Sequence, residues 1–523
     1  MSFLTQNWTV AKPVVRSRRG IIATQSRVAG EAGAQVLASG GNAVDAAVAT
    51  GFALAACEPW NSGLGGIGYM LIAPAGSDRV YVVDFSPVSP RSLDLKAFPL
   101  TGGSKRELFT WPAVLDDRNV HGPLSVAVPG QVDGMALALE TFGSKSWREV
   151  LSPAIQIAER GIGIDWYLTL KVATSAKELA RYPSTSSIWL PDGFPPVTPP
   201  EAPSGRLVLS GLADTMKRLA KAGARDFYEG EIARAIVADL QSMGGMLDAA
   251  DLAHYRARLV EPTAFDYRSS ALALAPRLTA GPSMKRTLAA LSHHAFQGAT
   301  PDAAAFTAYA RELRAAFDER LRTMGDVSDP REPACTTHFN VVDREGNMVA
   351  VTQTLLSVFG SRLVLPSTGI LMNNGIFWFD PRPGVPNSLG PGKRPLTNMC
   401  PVIARSDGRN RFALGASGGR KIFPAVMQLT SMLIDYRMSL EQAWHTPRID
   451  ASGGDTVGVD TRLDDSIREA LAREFRIEDS ELVVLPTNFA CPSAVMRDWE
   501  RGENCGIADV MSPWSGAVSE ESL

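Results

Sequence analysis

The alternation of apolar and polar positions near the start of the chain predicts two successive helices. Residues 28–39 place apolar side chains at helical spacing, and the pair of glycines directly after them is a stop signal. Asn42 then caps a second helix, and Asp45, three residues later, completes a loose capping box. This second helix, residues 43–56, is alanine-rich and apolar nearly all round. We therefore expect it to be buried between layers of structure.

Farther along, short apolar runs and clusters of glycine and proline divide the chain into strands, helices and loops. The pattern predicts strands over 80–84 and 411–414, a strand end over 126–130, and helices over 132–141, over 303–323 and from residue 422 onward. The middle of the chain is mostly helical, and a proline-rich stretch at 191–203 interrupts it. Because connecting segments run over the surface, we expect this stretch to be exposed.

Two β-rich runs on either side of residues 343–347 predict a hairpin. A three-residue loop that ends in Gly346, where a positive φ costs little, would place Thr354 opposite Thr336. A two-residue loop would place Thr354 opposite Thr337 instead. In both registers a second hydroxyl lies within cross-strand reach of the residue that opens the hairpin.

Composition is that of an ordinary globular protein, and it narrows the function classes. Of 523 residues, 45% are hydrophobic and 20% are charged. The formal net charge of −3 lacks the excess of basic residues that binding to nucleic acid or to a membrane surface would require. The five cysteines lack metal-ligand spacing and predict reduced thiols. The chain starts without a basic segment followed by an apolar one, and its longest apolar run, 43–57, is too short to span a bilayer. These features predict a cytoplasmic protein without a metal site.

The candidate nucleophile is Thr336, which follows Cys335 after a polar, proline-containing stretch (323–333) that we expect to be an exposed linker. A threonine hydroxyl is a poor nucleophile unless a base lies beside it, and the residue's own α-amine can serve once the chain is cut. Because that amine has an unperturbed pKa of about 7.7–8.0, it suits general-base work. Cleavage of the Cys335–Thr336 bond would place nucleophile and base on one residue. Threonine pairs also occur simply as strand residues, and we expect the nearby His338 to be structural.

A glycine-rich turn at 415–420 follows a predicted strand and precedes a predicted helix. Glycines there let the backbone approach a ligand and leave N–H groups to stabilise an oxyanion; the alternative is a tight turn with no further role. A second glycine cluster, 63–68, matches the dinucleotide fingerprint but follows a helix and a turn instead of a strand, so we reject nucleotide binding there. The aromatic run 377–379 fits either the end of a core strand or the wall of a substrate pocket.

The ordered motifs of the chain resemble those of the γ-glutamyltransferase family of N-terminal-nucleophile hydrolases, and the likeness spans nearly the whole sequence. In the first part the motifs are EAG (31–33), GGNAVDAA (40–47), EP (58–59), SGLGG (62–66), VPG (128–130) and DG (133–134). In the second part they are TTH (336–338), GN (346–347), FGS (359–361), GI (369–370), NN (373–374), GKRP (392–395) and GG (418–419).

This resemblance implies an α+β fold, a four-layer αββα sandwich that is made as one precursor. It also implies self-cleavage before Thr336 into a large fragment, residues 1–335, and a small catalytic fragment, residues 336–523, which stay associated. By resemblance, Thr336 is the nucleophile and Thr354 is its hydroxyl partner. Gly418 and Gly419 would then supply the oxyanion donors. The family needs no metal or organic cofactor, and a homo-oligomer is left open.

The positions that bind the substrate head group depart from the family pattern. Members usually have an arginine after the Asp-Phe pair to hold the α-carboxylate of the γ-glutamyl group, and Ser86 stands there in this chain. Trp378 replaces the acidic residue that holds the α-amino group. The other differences are Gly375 for a polar residue, Leu356 for an asparagine, and Thr397 with Asn398 for a pair of serines. Arg362, unusual for the family, is either a substitute carboxylate anchor or a solvated arginine at a strand end.

A desolvated charged pair cannot be exchanged for serine and tryptophan without a change of ligand. We therefore predict an amidohydrolase that forms an acyl-threonine and hydrolyses an amide other than a free γ-glutamyl compound, with transfer to an amine as the lesser outcome. The substrate would be a small-molecule amide with an apolar or a small carboxylate acyl group. One alternative is a genuine glutathione-type γ-glutamyltransferase with a rewired pocket. The other is an unprocessed, non-catalytic member that binds a ligand or partner.

Overall fold

The computed structural model of the protein describes residues 10–104, 111–324 and 336–523. Cys335 and most of the expected linker, 323–333, therefore lie outside the described residues. Up to residue 324 the strands are β1 (Val15–Ser17), β2 (Ile21–Thr24), β3 (Ile67–Ala73), β4 (Tyr81–Phe85), β5 (Leu100–Ser104), β6 (Pro112–Val114), β7 (Ile162–Gly163), β8 (Arg206–Leu207), β9 (Arg258–Val260), β10 (Thr263–Tyr267) and β11 (Ser270–Leu274).

The helices of the same part are α1 (Arg27–Ala38), α2 (Ala43–Cys57), α3 (Gln131–Phe142), α4 (Trp147–Arg160), α5 (Trp166–Ala173), α6 (Ala176–Leu179), α7 (Pro183–Trp189), α8 (Ser210–Ala222), α9 (Asp226–Glu229), α10 (Glu231–Ser242), α11 (Ala249–His254), α12 (Gly281–Leu291) and α13 (Ala303–Thr323). From residue 336 onward come β12 (Thr337–Val342), β13 (Met348–Thr354), β14 (Val402–Ser406), β15 (Arg409–Ser417), α14 (Ile422–Ile434), α15 (Leu440–His445), β16 (Ile449–Asp450), β17 (Thr456–Asp460), α16 (Asp465–Glu474), β18 (Arg476–Ser480), β19 (Cys491–Asp498), β20 (Glu503–Ala508) and β21 (Gly516–Ser519).

Two seven-stranded antiparallel sheets form the centre of the molecule. The sheet that contains the strand after Thr336 has the order β21-β2-β12-β13-β3-β4-β9, and the facing sheet has the order β1-β20-β19-β15-β14-β11-β10. Each sheet combines strands from both sides of the proposed cut. Residues before 325 supply β1, β10 and β11 to the facing sheet, and residues after 335 supply β12, β13 and β21 to the other.

Three apolar cores fill the three interfaces between four layers. Alternate residues of one strand enter different cores: Val349 and Val351 of β13 pack under the helical layer of α1–α4, whereas Met348 and Ala350 face the second sheet. The outer core on the other side combines β15 with α12, α13 and α14. The expected αββα sandwich is therefore confirmed.

The second predicted helix is the buried one, as its composition indicates. All residues of α2 are buried, and Asn42 and Asp45 form the expected capping box. The Asn42 side chain accepts from the N–H of Val44 at 2.9 Å, and the Asp45 carboxylate accepts from the N–H of Asn42 at 2.8 Å. These bonds satisfy backbone donors that the first turn of a helix leaves unpaired.

Other local predictions hold with one exception. The last helix before the proposed cut spans Ala303–Thr323 as predicted, and the proline-rich stretch is exposed, with Phe194 72% accessible. The strand end predicted over 126–130 is wrong, since only an isolated bridge between Val128 and Val88 forms there. Pro129 lacks the N–H that a longer ladder would need. Among the described residues, none of the helices is both long and apolar enough to cross a membrane.

Candidate active site

The predicted hairpin brings two threonine hydroxyls together at its open end. Strands β12 and β13 pair with Val342 opposite Met348 and Thr337 opposite Gln353, which is the register of the three-residue loop. The Thr336 Oγ1 donates to Thr354 Oγ1 at 3.4 Å. Thr336 is 6% exposed and Thr354 is fully buried. The two hydroxyls therefore lie side by side in a solvent-poor position.

The chain immediately after Thr354 turns sharply and fixes its hydroxyl. The N–H of Leu356 donates to Thr354 Oγ1 at 2.8 Å. Leu356 adopts φ +86°, a strained conformation for a residue with a side chain. The side chain of Leu356 then lies in the apolar core between the sheets, next to the hydroxyl pair.

The glycine-rich turn occupies the end of β15 in the facing sheet. Gly418 and Gly419 have φ +130° and +61°, and a Cβ on Gly418 would lie 2.9 Å from Ala490 Cα. Only glycine fits this path, because other residues would be strained and would collide. The turn leads into α14, so its N–H groups lie where the start of a helix leaves backbone donors without intrahelical partners. This geometry suits the stabilisation of an oxyanion.

His338 holds the two sheets together beside the hydroxyl pair. Its ring nitrogens contact Thr352 Oγ1 at 2.9 Å and Asn340 Oδ1 at 3.1 Å. Burial lowers the pKa of His338 to about 3, so the ring is neutral. A Cβ on Gly415 would lie 2.3 Å from His338 Cε1, which means that the imidazole fills the space that a side chain of β15 would take. These contacts agree with the expected structural role.

A buried carboxylate lies on the other face of β12. Thr337 Oγ1 donates to Glu58 Oε2 at 3.3 Å, and Glu58 is 2% exposed. Burial raises the pKa of Glu58 to about 7, although the Lys171 ammonium and hydrogen bonds from Thr337 and Asn61 oppose this shift. Glu58 therefore titrates near neutral pH, directly beneath the residue that follows Thr336.

Ser86 lies in a charged cluster on the same face of the sheet as Thr336. Thr354 pairs with Ile67, and Gly68, the next residue along β3, pairs with Phe85. Continued by one residue, this register places Ser86 opposite Ile67, in the same cross-strand row as Thr336 and Thr354. Three strand spacings separate Ser86 from Thr336, which is about 14 Å. The Ser86 hydroxyl donates to Asp84 at 2.6 Å and accepts from Arg394 Nη1 at 2.8 Å.

Asp84 in this cluster is shared by two cations. It forms ion pairs with Arg258 and, at 3.7 Å, with Arg394. Burial tends to raise the pKa of Asp84, but Arg394, Ser86 and Arg258 outweigh it and lower the pKa. One carboxylate and two guanidinium groups leave a net positive charge at this end of the row.

Aromatic and aliphatic side chains at the predicted substrate positions are buried between the two sheets. Trp378 and Leu356 belong to the same inter-sheet core as Tyr69, and Trp378 is 3% exposed. At Gly375 a Cβ would lie 2.8 Å from Ala127 Cβ and 2.9 Å from Asn373 Oδ1, so this backbone has no room for the polar side chain that the family usually carries.

The remaining predicted substrate residues make contacts of their own. Thr397 donates its hydroxyl to the carbonyl of Leu278 at 3.0 Å, and half-buried Asn398 follows it. Arg362, at φ +61°, donates Nη1 to the carbonyl of Gly360 at 2.6 Å. Burial raises the pKa of Tyr182, and the charge of Arg362 partly offsets this, which places the guanidinium near Tyr182. The roles of these three residues as ligand contacts stay predictions.

Sequence reasoning missed the buried polar residues that come from distant parts of the chain. Gln25, Glu58 and Arg394 each contact a predicted site residue or its neighbour. Two of them, Glu58 and Arg394, lie in motifs of the family resemblance, which was a usable signal. Gln25 lies in no motif, and only the fold brings it near Thr336.

Comparisons with known proteins relate the chain to one family. The family model described as gamma-glutamyltranspeptidase matches residues 29–335 and 327–510. The Acylase ACY 1 proenzyme of Pseudomonas sp. (strain SE83) is 34% identical over 92% of this chain and 90% of the relative. The glutathione hydrolase proenzyme of Escherichia coli (strain K12) is 30% identical over 83% of this chain and 81% of the relative.

Among solved structures, the cephalosporin acylase from Bacillus halodurans superposes with a TM-score of 0.85 at 24% identity, covering 99% of this chain and 98% of that one. This likeness concerns the fold, and it agrees with the four-layer αββα sandwich described above.

Proposed function

Since the chain belongs to the gamma-glutamyltranspeptidase family, we propose that it is a self-processing amidohydrolase whose nucleophile is Thr336. The precursor would cleave itself between Cys335 and Thr336, and the fragments 1–335 and 336–523 would remain associated. The observation that carries this proposal is the pair of hydroxyls, Thr336 and Thr354, at 3.4 Å on the open end of the hairpin.

The reaction follows from the placement of these groups. Thr336 Oγ attacks the amide carbonyl, and the freed α-amine of Thr336 takes the hydroxyl proton. Negative charge develops on the carbonyl oxygen, where the N–H groups of Gly418 and Gly419 stabilise it. The α-amine then gives its proton to the leaving amine. Water attacks the acyl-threonine ester by the same proton route and regenerates the enzyme.

Two features support an acyl group other than free γ-glutamyl. Trp378 and Leu356 are buried in the apolar core between the sheets, and none of the predicted substrate positions is acidic. These positions therefore offer no carboxylate partner to an α-ammonium, and Asp84, beside Ser86, is already bound by two arginines. We infer an apolar or a small carboxylate-bearing acyl group as the substrate class.

The test begins with processing. Incubated precursor should yield fragments of about 36 and 20 kDa, which together make up the 56.0 kDa chain, and Thr336→Ala should stay as one band. Intact-mass analysis of the small fragment after reaction should find the acyl group on Thr336. A wild-type protein that remains a single band after long incubation would favour a non-catalytic binding protein instead.

A second candidate is a genuine glutathione-type γ-glutamyltransferase, which the likeness to the Escherichia coli glutathione hydrolase favours. Three anilides separate the alternatives: one with an apolar acyl group, one whose acyl group ends in a carboxylate, and a γ-glutamyl anilide. We expect the γ-glutamyl compound to be the poorest substrate, and robust turnover of it would overturn the proposed substrate class.

A further inference from the structure

The nucleophile end of β12 lacks a strand partner on one side. The ladder between β12 and β2 begins at Phe339 opposite Thr24. Thr337 and His338 thus pair with β13 on one side and have no partner in β2 on the other. In the place of a longer β2, the chain turns at Gln25 into α1.

The side chain of Gln25 replaces the missing strand and reaches the other sheet as well. Its Oε1 accepts from the backbone N–H of His338 at 3.3 Å, and its Nε2 donates to Ser417 Oγ at 2.6 Å. Gln25 is 6% exposed and Ser417 is 4% exposed, so these bonds are made away from water.

Both ends of this bridge adjoin the reacting groups. His338 is two residues after Thr336, and Ser417 directly precedes Gly418. Thr336 and the glycine turn belong to different sheets, whose facing strands are about 10 Å apart in general. Their relative position therefore depends on what connects the sheets at this end.

We propose that Gln25 is a positioning residue that sets the distance between the Thr336 nucleophile and the oxyanion donors of Gly418 and Gly419. The inference rests on the proposed function. The side-chain amide of Gln25 holds both the strand after Thr336 and the glycine turn. Gln25 belongs to the large fragment, whereas Thr336 and the glycine turn belong to the small fragment. Because a displacement of about 1 Å at a reacting centre can cost roughly 100-fold in rate, the loss of this bridge should affect catalysis far more than binding.

The test is Gln25→Met, which keeps the shape of the side chain and removes its hydrogen bonds. Per N-terminal threonine titrated, we expect kcat to fall roughly 10- to 100-fold with KM within about twofold. The affinity for a boronic acid that forms a tetrahedral adduct on the threonine should fall in parallel. The matched control is Gln428→Met, because Gln428 is fully buried and its amide bonds Pro424 and Ile449, away from the reacting groups. The control should keep kcat.

Ser417→Ala removes the bridge from its other end and decides the question if Gln25→Met does not fold. It should lower kcat with KM unchanged, and the double variant should be no worse than the poorer single one. An unchanged kcat in either variant, or additive losses in the double one, would overturn the inference. The rate of self-cleavage gives a readout without substrate: it should slow in Gln25→Met, and a rate equal to that of the wild type would count against the bridge. Failure of the wild type itself on all three anilides would count against the proposed function instead.

Discussion

At the scale of single residues, burial shifts the pKa values of two polar groups close to Thr336. His338 is a neutral ring that packs between sheets, and Glu58 is a carboxylic acid whose pKa lies near 7. His338 lies two residues after Thr336 on β12, and Glu58 accepts a hydrogen bond from Thr337. Their charge states therefore act on the position and the electrostatics of Thr336, the proposed nucleophile.

The first prediction concerns the pH dependence of stability at Glu58. Burial raises its pKa from the ordinary 4.5 to about 7. Between these values the folded chain keeps a proton that the unfolded chain has lost, so this group makes stability fall as the pH rises through that window. Glu58→Gln keeps an acceptor for Thr337 and removes the titration. Its free energy of unfolding relative to the wild type should rise by up to about 3 kcal/mol between pH 4.5 and pH 8.

Chemical denaturation of both proteins at several pH values measures this difference. The non-cleaving Thr336→Ala background keeps the comparison within one intact chain. A difference that does not change with pH would show that Glu58 has an ordinary pKa.

At the scale of elements, the two sheets approach each other closely where Gly415 of β15 faces His338 of β12. Gly415→Ala would place a methyl group 2.3 Å from the imidazole, and β15 would have to move away. We expect a loss of stability of about 1–3 kcal/mol together with slower self-cleavage, because the glycine turn is carried on the same strand. Urea denaturation and the rate of fragment formation measure the two effects.

Gly163→Ala is the matched control, since nothing lies within 4 Å of a Cβ at that position. It should change stability by less than about 1 kcal/mol. An equal response of the two variants would mean that β15 tolerates the methyl group without moving.

Local sequence patterns predicted structural elements correctly where the residues that determine an element are close together along the chain. The hairpin followed from one positive-φ glycine with two registers left open, and the structure has the register of the three-residue loop. The cap of α2 followed from two side chains three residues apart and is confirmed. The bridge from Gln25 to Ser417 joins residues 392 positions apart, and no periodicity reports such a contact. The strand end over 126–130 failed because a proline competed with the pattern of apolar residues.

At the scale of the whole molecule, the two halves of the chain are interleaved. Each large sheet contains strands from before and after the proposed cut. We predict that the cut protein elutes from a sizing column as one species under native conditions and separates into its fragments only in denaturant. The uncut Thr336→Ala protein is the reference for the elution position. Separation of the fragments without denaturant would show that the strand pairing does not hold them.

The place of β21 has a consequence for biosynthesis. This strand, Gly516–Ser519, comes long after Thr336 in the chain, yet it pairs with β2, which in turn pairs with β12. The sheet that carries Thr336 is therefore incomplete until Gly516–Ser519 has been synthesised. Under the proposed function, self-cleavage has to wait for this strand, and a chain truncated before it would remain a single polypeptide. The appearance of the small fragment would then report that synthesis had passed β21.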